Sequence, residues 1–417
     1  MKILVLGSGA REHAITHAFA KENAHELHAL PGNPGIGQVA QLHPGDAADG
    51  QVALQLAKEL HPDLIVIGPE APLVAGVADI LSEAGFTVFG PSAQAAQLEG
   101  SKAFAKEVMN AAGVPTASAR VCQSILEIEA ALKEFGAPHV VKDDGLAAGK
   151  GVVVTEDFAE ALAHGQACLD NGARQVVIEE YLDGPEVSLF CISDGKTVVP
   201  LAPAQDFKRA YDSDAGPNTG GMGAYSPLPW APTGLVAEVV ETVAQPTIAE
   251  MANRGTPFAG VLYVGLALTS RGIRVVEFNA RFGDPETQVV LARLQTPLSE
   301  LLAAAAKGEL ATLPTLQWAQ ETAVTVVLAA NGYPQKVVNG DVISGLENVA
   351  DQGAYVLHAG TKTTVEGLVS SGGRVLSVVG LGSDLSAARK KAYAGIGVIE
   401  LKESHYRKDI AALAAGE

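Results

Sequence analysis

One stretch organises this chain, and it reads His139-Val-Val-Lys-Asp-Asp-Gly-Leu-Ala-Ala-Gly-Lys-Gly-Val-Val-Val154. Its apolar runs end at Lys142 and restart at Val152. The loop between the runs contains three glycines, Gly145, Gly149 and Gly151. Short apolar runs around a glycine-rich turn predict a β-hairpin. Backbone N–H groups beside glycine can approach an anion, and Lys142 and Lys150 add positive charge. The hairpin therefore predicts a site for a phosphate chain, and an ordinary surface hairpin is the alternative.

The loop does not fit a P-loop. A P-loop connects a strand to a helix, has four residues between its glycines and carries Ser or Thr after its lysine. Here three residues separate Gly145 from Gly149, Gly151 follows Lys150, and the loop connects two strands. The hairpin instead resembles the lid that closes over nucleotide phosphates in the ATP-grasp ligases. That resemblance predicts further nucleotide and metal contacts elsewhere in the chain.

The composition is typical of an α/β protein with several domains. A length of 417 residues predicts about three domains, each large enough for its own core. Hydrophobic residues make up 47% of the chain and aromatic residues only 5%. The formal net charge of −18 argues against nucleic-acid and membrane partners, because both need an extended basic face. Cationic groups that hold anionic substrates are therefore expected to be local.

The cysteines and the N-terminus indicate a cytoplasmic protein. Cys122, Cys168 and Cys191 lie far apart and fit neither a disulfide framework nor a zinc site, which predicts buried thiols in a reducing compartment. The N-terminal apolar run stops at Gly7 and predicts a buried strand rather than a signal peptide. No apolar run approaches about 18 residues, so no membrane span is expected.

Residues 1–100 alternate strand and helix patterns. The predicted strands are Ile3–Leu6, Glu26–Leu30, Leu64–Ile67 and Thr87–Phe89. The predicted helices are Arg11–Lys21, Gln51–Leu60 and Leu73–Ala84. This alternation predicts a doubly wound parallel sheet, whose ligands lie in the loops at the carboxyl ends of the strands. The loops Gly7–His13 and Gly68–Pro72 are therefore candidate binding loops.

The first of these loops partly matches a dinucleotide-binding fingerprint. Gly7 and Gly9 fit its start, but Glu12 occupies the place of the third glycine. A carboxylate there would repel a pyrophosphate, which disfavours a nicotinamide enzyme. The helix N-terminus can still take a single phosphate. The residues expected to hold the hydroxyls of a sugar are Arg11, Glu12, His13 and Glu70. For His13 taken alone, a capping or packing role is the stronger interpretation.

The middle of the chain contains a small α/β unit with the glycine-rich hairpin. Ser101 is the predicted N-cap of a helix that runs to about residue 112, and the unit itself covers residues from about 116 to 190. The unit ends with a buried strand at Val176–Ile178. The backbone after this strand could pair with an adenine edge, and Glu186 could hold ribose hydroxyls. From these residues alone, a charged strand end at the surface is the stronger interpretation.

Further elements follow up to residue 321. The patterns predict a hairpin of Val187–Ile192 with Thr197–Leu201, helices at Leu235–Arg254 and Thr287–Lys307, and a strand at Val261–Thr269. Between them lies a long irregular segment that includes Gly216–Gly223. Long glycine-rich loops in compact domains are usually functional, and a disordered linker is the alternative.

A second site is predicted at Val275-Val-Glu-Phe-Asn-Ala-Arg-Phe-Gly-Asp-Pro-Glu286. Glu277 and Asn279 lie two residues apart, so on a strand both project from the same face. Two oxygen ligands suit Mg²⁺, because phosphates and water then complete its coordination. Arg281 continues on that face if the strand persists, and it could meet a carboxylate or a transferring phosphoryl group.

Taken together, these stretches resemble the phosphoribosylamine–glycine ligase family of the ATP-grasp superfamily. The resemblance covers essentially every segment, and its most specific stretches are Gly7–His13, Gly68–Val74, Leu98–Lys102, Asp144–Gly151, Gly216–Pro227, Glu277–Glu286, His358–Thr361 and Tyr406–Ile410. It implies an α/β fold with three parts. These are an N-terminal doubly wound parallel-sheet domain at 1–100, a central ATP-grasp domain at 101–321 with a lid subdomain at about 116–190, and a C-terminal α/β domain at 322–417.

The resemblance also implies site residues. ATP would be bound by Lys102, Lys142, Gly145, Leu146, Gly149, Lys150, Gly151, Glu179, Glu180, Tyr181, Leu182 and Glu186. Glycine and 5-phosphoribosylamine would be bound by Gly9, Arg11, Glu12, His13, Glu70, Asp206, Lys208, Gly220, Gly221, Met222, Arg281, Gly283 and Asp284. Glu277 and Asn279 would hold Mg²⁺ or Mn²⁺, and Lys142 and Arg281 would carry the catalysis. A cytoplasmic monomer that joins these substrates in purine synthesis is expected.

Three positions depart from the family pattern. Asp143 stands in place of an alanine, Phe207 in place of a histidine and Ala411 in place of a glycine. None of them is one of the predicted metal ligands or lid glycines. Two other functions are possible for such a sequence: another ATP-grasp ligase, such as a carboxylase or a formate-using enzyme, and a non-catalytic nucleotide-binding regulator. The N-terminal loops disfavour the first, and intact Glu277, Asn279 and Arg281 disfavour the second.

Overall fold

The first part of the chain folds into a parallel sheet. The computed structural model of the protein describes residues 1–146 and 151–417. Residues 1–100 contain strands β1 (Lys2–Gly7), β2 (Glu26–Pro31), β3 (Gln41–Leu42), β4 (Leu64–Ile67) and β5 (Val88–Phe89), in the order β3-β2-β1-β4-β5 and parallel throughout. The helices of this part are α1 (Ala10–Lys21), α2 (Gly50–Leu60), α3 (Glu70–Val74), α4 (Val77–Glu83) and α5 (Gln97–Gly100). The predicted doubly wound parallel sheet is confirmed.

The predicted helix Leu73–Ala84 is wrong as a single element. It is divided into α3 and α4 at Gly76, whose φ of +79° is left-handed. Glycine adopts this conformation without a steric penalty, and a left-handed residue ends a helix. Helix α3 begins at Glu70, three residues after the last residue of β4, so Glu70 lies at the carboxyl edge of the sheet.

The predicted glycine-rich hairpin is confirmed within a small antiparallel sheet. Helix α6 (Lys102–Ala111) leads into β6 (Ala119–Cys122), α7 (Ile125–Phe135), β7 (His139–Asp143), β8 (Val152–Thr155), α8 (Phe158–Asp170) and β9 (Val176–Glu179). The strand order is β6-β9-β7-β8, and Lys142 of β7 lies opposite Val152 of β8. Its core includes Ile128, Val141 and Ile178. Two of the predicted ATP contacts at the tip, Gly149 and Lys150, lie outside the described residues.

Residues 186–279 contain the four-stranded central sheet and four further strands that belong to other sheets. Their strands are β10 (Glu186–Asp194), β11 (Val198–Pro200), β12 (Gln205–Asp206), β13 (Arg209–Tyr211), β14 (Ala215–Asn218), β15 (Gly223–Ser226), β16 (Ala259–Thr269) and β17 (Gly272–Asn279). Strands β11, β10, β16 and β17 pair antiparallel in that order. The register between β16 and β17 shifts so that Gly265 faces Glu277 and Leu266 faces Val275. Val276 is therefore the extra residue of a β-bulge, next to the predicted metal ligands.

The segment predicted as a helix at Leu235–Arg254 is continuous but not uniform. It comprises α9 (Leu235–Val239), a π-helical turn at Val240–Ala244 and α10 (Gln245–Asn253). Pro246 lies in the first turn of α10. Proline has no N–H for the bond to the preceding turn, and a wider π turn accommodates that loss.

The last part of the chain builds a sheet with strands from the middle. It contains α11 (Glu286–Arg293), α12 (Leu298–Lys307), β18 (Thr322–Ala329), β19 (Ile343–Ser344), β20 (Ala354–His358), β21 (Thr361–Thr364), β22 (Gly367–Ser370), β23 (Arg374–Gly382), α13 (Leu385–Gly397) and β24 (Glu400–Leu401). The strand order β12-β15-β18-β23-β20 joins this part to residues 205–226. The predicted single helix Thr287–Lys307 is wrong, because Leu294 is extended and Pro297 precedes a new start at Leu298.

The backbone conformation at Ala411 explains why the family pattern has glycine there, and it gives a prediction about stability. It is buried with a φ of +61°, a conformation that costs an alanine roughly 1–2 kcal/mol. We expect Ala411→Gly to raise the free energy of unfolding by about 0.5–1 kcal/mol, since glycine's larger unfolded-state entropy offsets part of the gain. Urea unfolding measures the change. The matched control is Ala412→Gly, where φ is −59° and glycine is expected to destabilise.

Candidate active site

The predicted metal ligands lie together at the end of β17. Phe278 between them is buried against the core, so Glu277 and Asn279 point to the opposite side. Neither side chain receives a hydrogen bond from a residue in the described part of the chain. Free carboxylate and amide oxygens on one face fit Mg²⁺, which takes few protein ligands and keeps places for phosphates and water. The donor set of this structure therefore suits the expected metal.

Positive charge surrounds Glu277. Burial opposes ionisation of Glu277, but the ammonium groups of Lys208, Lys142 and Lys102 outweigh burial and lower its pKa. Glu277 is therefore an anion at neutral pH, ready to act as a metal ligand. The same lysines leave the site able to accept further negative charge.

Lys142 is held at the bulge of β17. Its Nζ lies 2.8 Å from Glu179 Oε2 and donates to the carbonyl of Val276 at 3.0 Å. Val276 is the extra residue of the bulge, so its carbonyl is released from the strand ladder to accept this bond. Lys142 keeps one N–H without an acceptor among residues 1–146 and 151–417. That N–H is available for a phosphate oxygen.

The base of the hairpin loop is anchored to the start of α6. Lys102 Nζ donates to the Gly145 carbonyl at 2.9 Å, and Asp144 accepts from the Ala103 N–H at 3.0 Å. Ser101 caps α6 as predicted, because its Oγ accepts from the Phe104 N–H. These contacts place Lys102 and the described end of the loop beside each other, as a joint phosphate site requires.

The predicted adenine and ribose contacts are divided between buried and exposed positions. Glu179 is buried and paired with lysines, whereas the Glu180 carboxylate is taken by Ser118 and Arg271. Tyr181 is 48% exposed and Leu146 is 44% exposed. Leu182 is half-buried, and Gly151 is buried. Glu186 pairs with Lys208. The structure thus brings only part of this set to the lysines, and the side chains of Tyr181 and Leu146 remain exposed.

A buried charge network joins the N-terminal sheet to the end of β17. Arg281 Nη2 lies 2.9 Å from Glu99 Oε1, and its Nε lies 3.3 Å from Glu70 Oε2. Arg11 lies 3.7 Å from the same Glu70 carboxylate and 2.6 Å from Glu12. Strand β17 ends at Asn279, so Arg281 is placed by these ion pairs rather than by strand alternation. Two arginines converge on one edge of the cleft, where an anionic substrate can bind.

Glu12 accounts for the incomplete dinucleotide fingerprint. Its carboxylate turns back to accept from the Gly9 N–H at 2.6 Å. A Cβ at Gly68 would lie 2.3 Å from Glu12 Oε1, so the loop fits around this carboxylate only with glycine there. The Glu12 carboxylate therefore lies against the loop glycines, where the dinucleotide fingerprint has a glycine without a side chain.

His13 is a packing residue in this structure. Its Nδ1 accepts from the His358 N–H at 2.8 Å, and a Cβ at Gly35 would lie 2.4 Å from its ring. Burial first, and His358 second, lower the pKa of His13 to about 3. A neutral, enclosed imidazole joins the N-terminal and C-terminal parts, which agrees with the packing interpretation rather than with sugar binding.

Three further predicted substrate residues, Gly220, Gly221 and Asp284, are held by Arg374. Its Nη1 donates to the carbonyls of Gly221 at 3.3 Å and Asp284 at 2.8 Å, and its Nη2 lies 3.1 Å from the Asp284 carboxylate. It also binds the carbonyl of Gly220. Met222 is fully buried and serves packing. Arg374 thereby holds the glycine-rich segment against the Gly283–Asp284 turn.

Asp206 and Lys208 are charged neighbours of Glu277. Burial and neighbouring carboxylates raise the pKa of Asp206 to about 7, although Lys208 opposes the shift. Close by, Glu286 accepts from Ser188 Oγ and Tyr263 Oη, each at 2.9 Å. Asp206 and Lys208 therefore belong to a cluster of charged side chains that includes Glu277.

Sequence reasoning missed Glu99, Arg374 and Glu286. Glu99 and Glu286 fall within stretches that were singled out, and the signal was an acid on an otherwise buried helix face. Arg374 carried no local signal, because its partners lie about 90 and 150 residues earlier in the chain.

The comparisons with known proteins first define the class. The sequence matches the ATP-grasp (A) domain of phosphoribosylglycinamide synthetase over residues 100–287, the N domain over 1–99 and the C domain over 323–413. A biotin carboxylase structure from Campylobacter jejuni, at 14% identity, shares the fold with a TM-score of 0.74 over 97% of this chain and 92% of that one. The fold and the matched domain make this an ATP-grasp protein.

The relatives then define the family. Phosphoribosylamine–glycine ligase of Streptomyces coelicolor is 61% identical over 100% of both chains, and that of Mycobacterium tuberculosis is 54% identical over 100% of this chain and 99% of its own. The crystal structure of phosphoribosylamine–glycine ligase from Thermotoga maritima, at 33% identity, matches with a TM-score of 0.85 over 99% of this chain and 100% of that one. This chain belongs to the phosphoribosylamine–glycine ligase family.

Proposed function

We propose that this protein joins glycine to 5-phosphoribosylamine and forms glycinamide ribonucleotide, ADP and phosphate in purine biosynthesis. The observation that carries this proposal is the convergence at the end of β17. Glu277 and Asn279, the Lys142 ammonium on the Val276 carbonyl, and Arg281 meet there from separate elements. This set combines a metal site with cations that can stabilise a transferring phosphoryl group.

The chemistry follows from the two substrates. A carboxylate is a poor acyl donor, because its leaving group would be oxide. Transfer of the γ-phosphoryl group from ATP to glycine gives glycyl phosphate, which has a good leaving group. The amine of phosphoribosylamine then attacks the glycyl carbonyl and releases phosphate. No protein nucleophile is required, so positioning and charge stabilisation supply the rate.

Each residue set has a role in this reaction. Lys102, Lys142 and the hairpin hold the phosphates, and Glu179–Leu182 with Glu186 form the edge that receives the nucleoside. Glu277 and Asn279 hold Mg²⁺ or Mn²⁺, which would align the phosphates and neutralise their charge. Arg281 faces the carboxylate that is phosphorylated.

The substrate loops and the surroundings complete the proposal. Arg11 and Glu70, the Gly220–Gly221 segment and the Gly283–Asp284 turn hold phosphoribosylamine and glycine. We place the domain boundaries after residues 100 and 321 and expect a monomer in the cytoplasm. No helix within residues 1–146 and 151–417 is long and apolar enough to cross a membrane.

An isotope experiment tests the reaction. Glycine labelled with ¹⁸O in its carboxylate is expected to pass one label into each phosphate formed and to leave the other in the amide. The bridging oxygen of glycyl phosphate departs with phosphorus when the amine attacks carbon. Mass spectrometry of phosphate after a single turnover measures the transfer, and ADP formation without glycine is the control. Unlabelled phosphate alongside authentic glycinamide product would exclude the acyl-phosphate route.

A further inference from the structure

A third lysine, Lys106 on α6, is buried next to the nucleotide site. Its side chain is only 11% exposed, and its Nζ lies 3.1 Å from Glu179 Oε1. It also donates to Thr116 Oγ1 at 2.9 Å and to the Ala117 carbonyl at 3.0 Å. These three contacts use all three N–H groups of the ammonium. Lys106 therefore has no N–H left for a ligand and can act only through its protein partners.

The first partner of Lys106 is shared with Lys142. Glu179 contacts Lys106 through Oε1 and Lys142 through Oε2, at 2.8 Å, and its own side chain is 4% exposed. One carboxylate thus faces two ammonium groups, and the three side chains carry a net charge of +1. If Lys106 were neutral, Glu179 would cancel the charge of Lys142 in a site that water hardly screens. A polyphosphate would then meet a neutral pair.

The second partner of Lys106 reaches the metal strand. Thr116 Oγ1 donates to the Val275 carbonyl at 2.6 Å, and the Val275 N–H donates to the Pro115 carbonyl at 2.8 Å. Val275 directly precedes the bulge residue Val276, whose carbonyl holds Lys142. The two arms from Lys106 therefore end on consecutive residues, immediately before the ligand Glu277.

We propose that Lys106 is a positioning residue for nucleotide binding, which sets the charge and place of Lys142 through Glu179 and fixes the bulge of β17 through Thr116. This inference rests on the proposed function only in taking the ligand to be a nucleoside triphosphate. Three elements, α6, β9 and β17, are tied to one ammonium that never touches the ligand.

Direct binding measurements separate this role from the overall reaction. Titration calorimetry with Mg·ATP on the full chain is expected to show binding to Lys106→Met weakened at least about tenfold, because the variant keeps the shape but removes the charge. The KM for ATP should rise by a similar factor, while kcat at saturating ATP changes less. Lys106→Arg retains the charge and is expected to restore most of the affinity. Lys133→Met, which removes a 64%-exposed lysine paired with Glu129, is the control and should bind normally.

A double-mutant cycle tests the route through Glu179. In a Glu179→Gln background, Lys106→Met should weaken ATP binding by clearly less than in the wild type, because there is no longer a carboxylate for Lys106 to balance. Equal losses in both backgrounds would mean that Lys106 does not act through Glu179. Wild-type affinity in Lys106→Met would overturn the proposal outright, and wild-type protein that binds Mg·ATP without ligating glycine would refute the proposed function alone.

The pH profile gives a readout that packing alone would not change. Burial lowers the pKa of Lys106 to about 8, with Glu179 opposing the shift and Lys142 adding to it. The other charged groups that face it are Glu180, after β9, and Arg274 of β17, which donates to the Thr116 carbonyl at 3.2 Å. ATP affinity of the wild type should therefore fall as pH rises through about 8. That decline should be absent in Lys106→Met and move to higher pH in Lys106→Arg, and a decline that is the same in all three would contradict the assignment.

Discussion

Glu277→Gln is expected to lower turnover at least about a hundredfold while the protein remains folded. The substitution keeps the shape of the side chain and removes one negative charge from the metal site. Burial opposes the ionisation of Glu277, but Lys208, Lys142 and Lys102 lower its pKa, so the wild-type side chain is charged at neutral pH. Without it, the three lysines lose the negative charge of Glu277, and the site loses its carboxylate ligand for a metal.

Steady-state assays at increasing Mg²⁺ measure this effect. The loss should appear mainly in kcat, because a metal held by Glu277 would stabilise the charge that develops on the transferring phosphoryl group, and added Mg²⁺ should recover only part of it. Glu366→Gln, an exposed acid at the tip of the β21–β22 hairpin, is the matched control and should have wild-type turnover. Near-native turnover of Glu277→Gln at saturating Mg²⁺ would remove Glu277 from the metal site.

Arg281→Met is expected to abolish most activity and to destabilise the fold by about 3–5 kcal/mol. The Arg281 guanidinium lies between two carboxylates, 2.9 Å from that of Glu99 and 3.3 Å from that of Glu70. Glu99 is only 9% exposed. Removing the guanidinium leaves both acids without this partner in a poorly solvated cleft. The stability loss comes from uncompensated burial, whereas the activity loss comes from the missing cation.

Two further measurements separate these effects. Burial raises the pKa of Glu99 although Arg281 opposes the shift, so without Arg281 the folded state should bind a proton there more readily than the unfolded chain. The destabilisation by Arg281→Met should therefore be smaller at pH 5 than at pH 8. Adding Glu99→Gln should recover stability without recovering activity. Arg120→Met, which breaks an exposed pair with Glu134, is the control for stability. Full activity of the double variant would show that Arg281 acts only as a structural residue.

Much of the fold and of the local chemistry could be predicted from the sequence. The parallel sheet of residues 1–100, the hairpin around the glycine-rich loop and the strand that carries Glu277 and Asn279 all depend on short-range patterns. Alternation along one strand decides which side chains share a face, and no distant residue is needed to read it. The helix breaks at Gly76 and at Leu294–Pro297 also depend on neighbouring residues, but the apolar pattern continues across both and predicted unbroken helices.

The roles of single charged residues were decided by the tertiary structure. Arg281 pairs with Glu99, which lies 182 residues earlier in the sequence, and Arg374 binds Asp284, which lies 90 residues earlier. His13, which a local motif placed among the substrate contacts, is enclosed by His358 from the far end of the chain. The sequence by itself determined the strands, the turns and the types of ligand, because these follow from neighbouring residues. Only the tertiary structure decided which charges are paired, buried or free, because burial and long-range contacts set the energy of a charge.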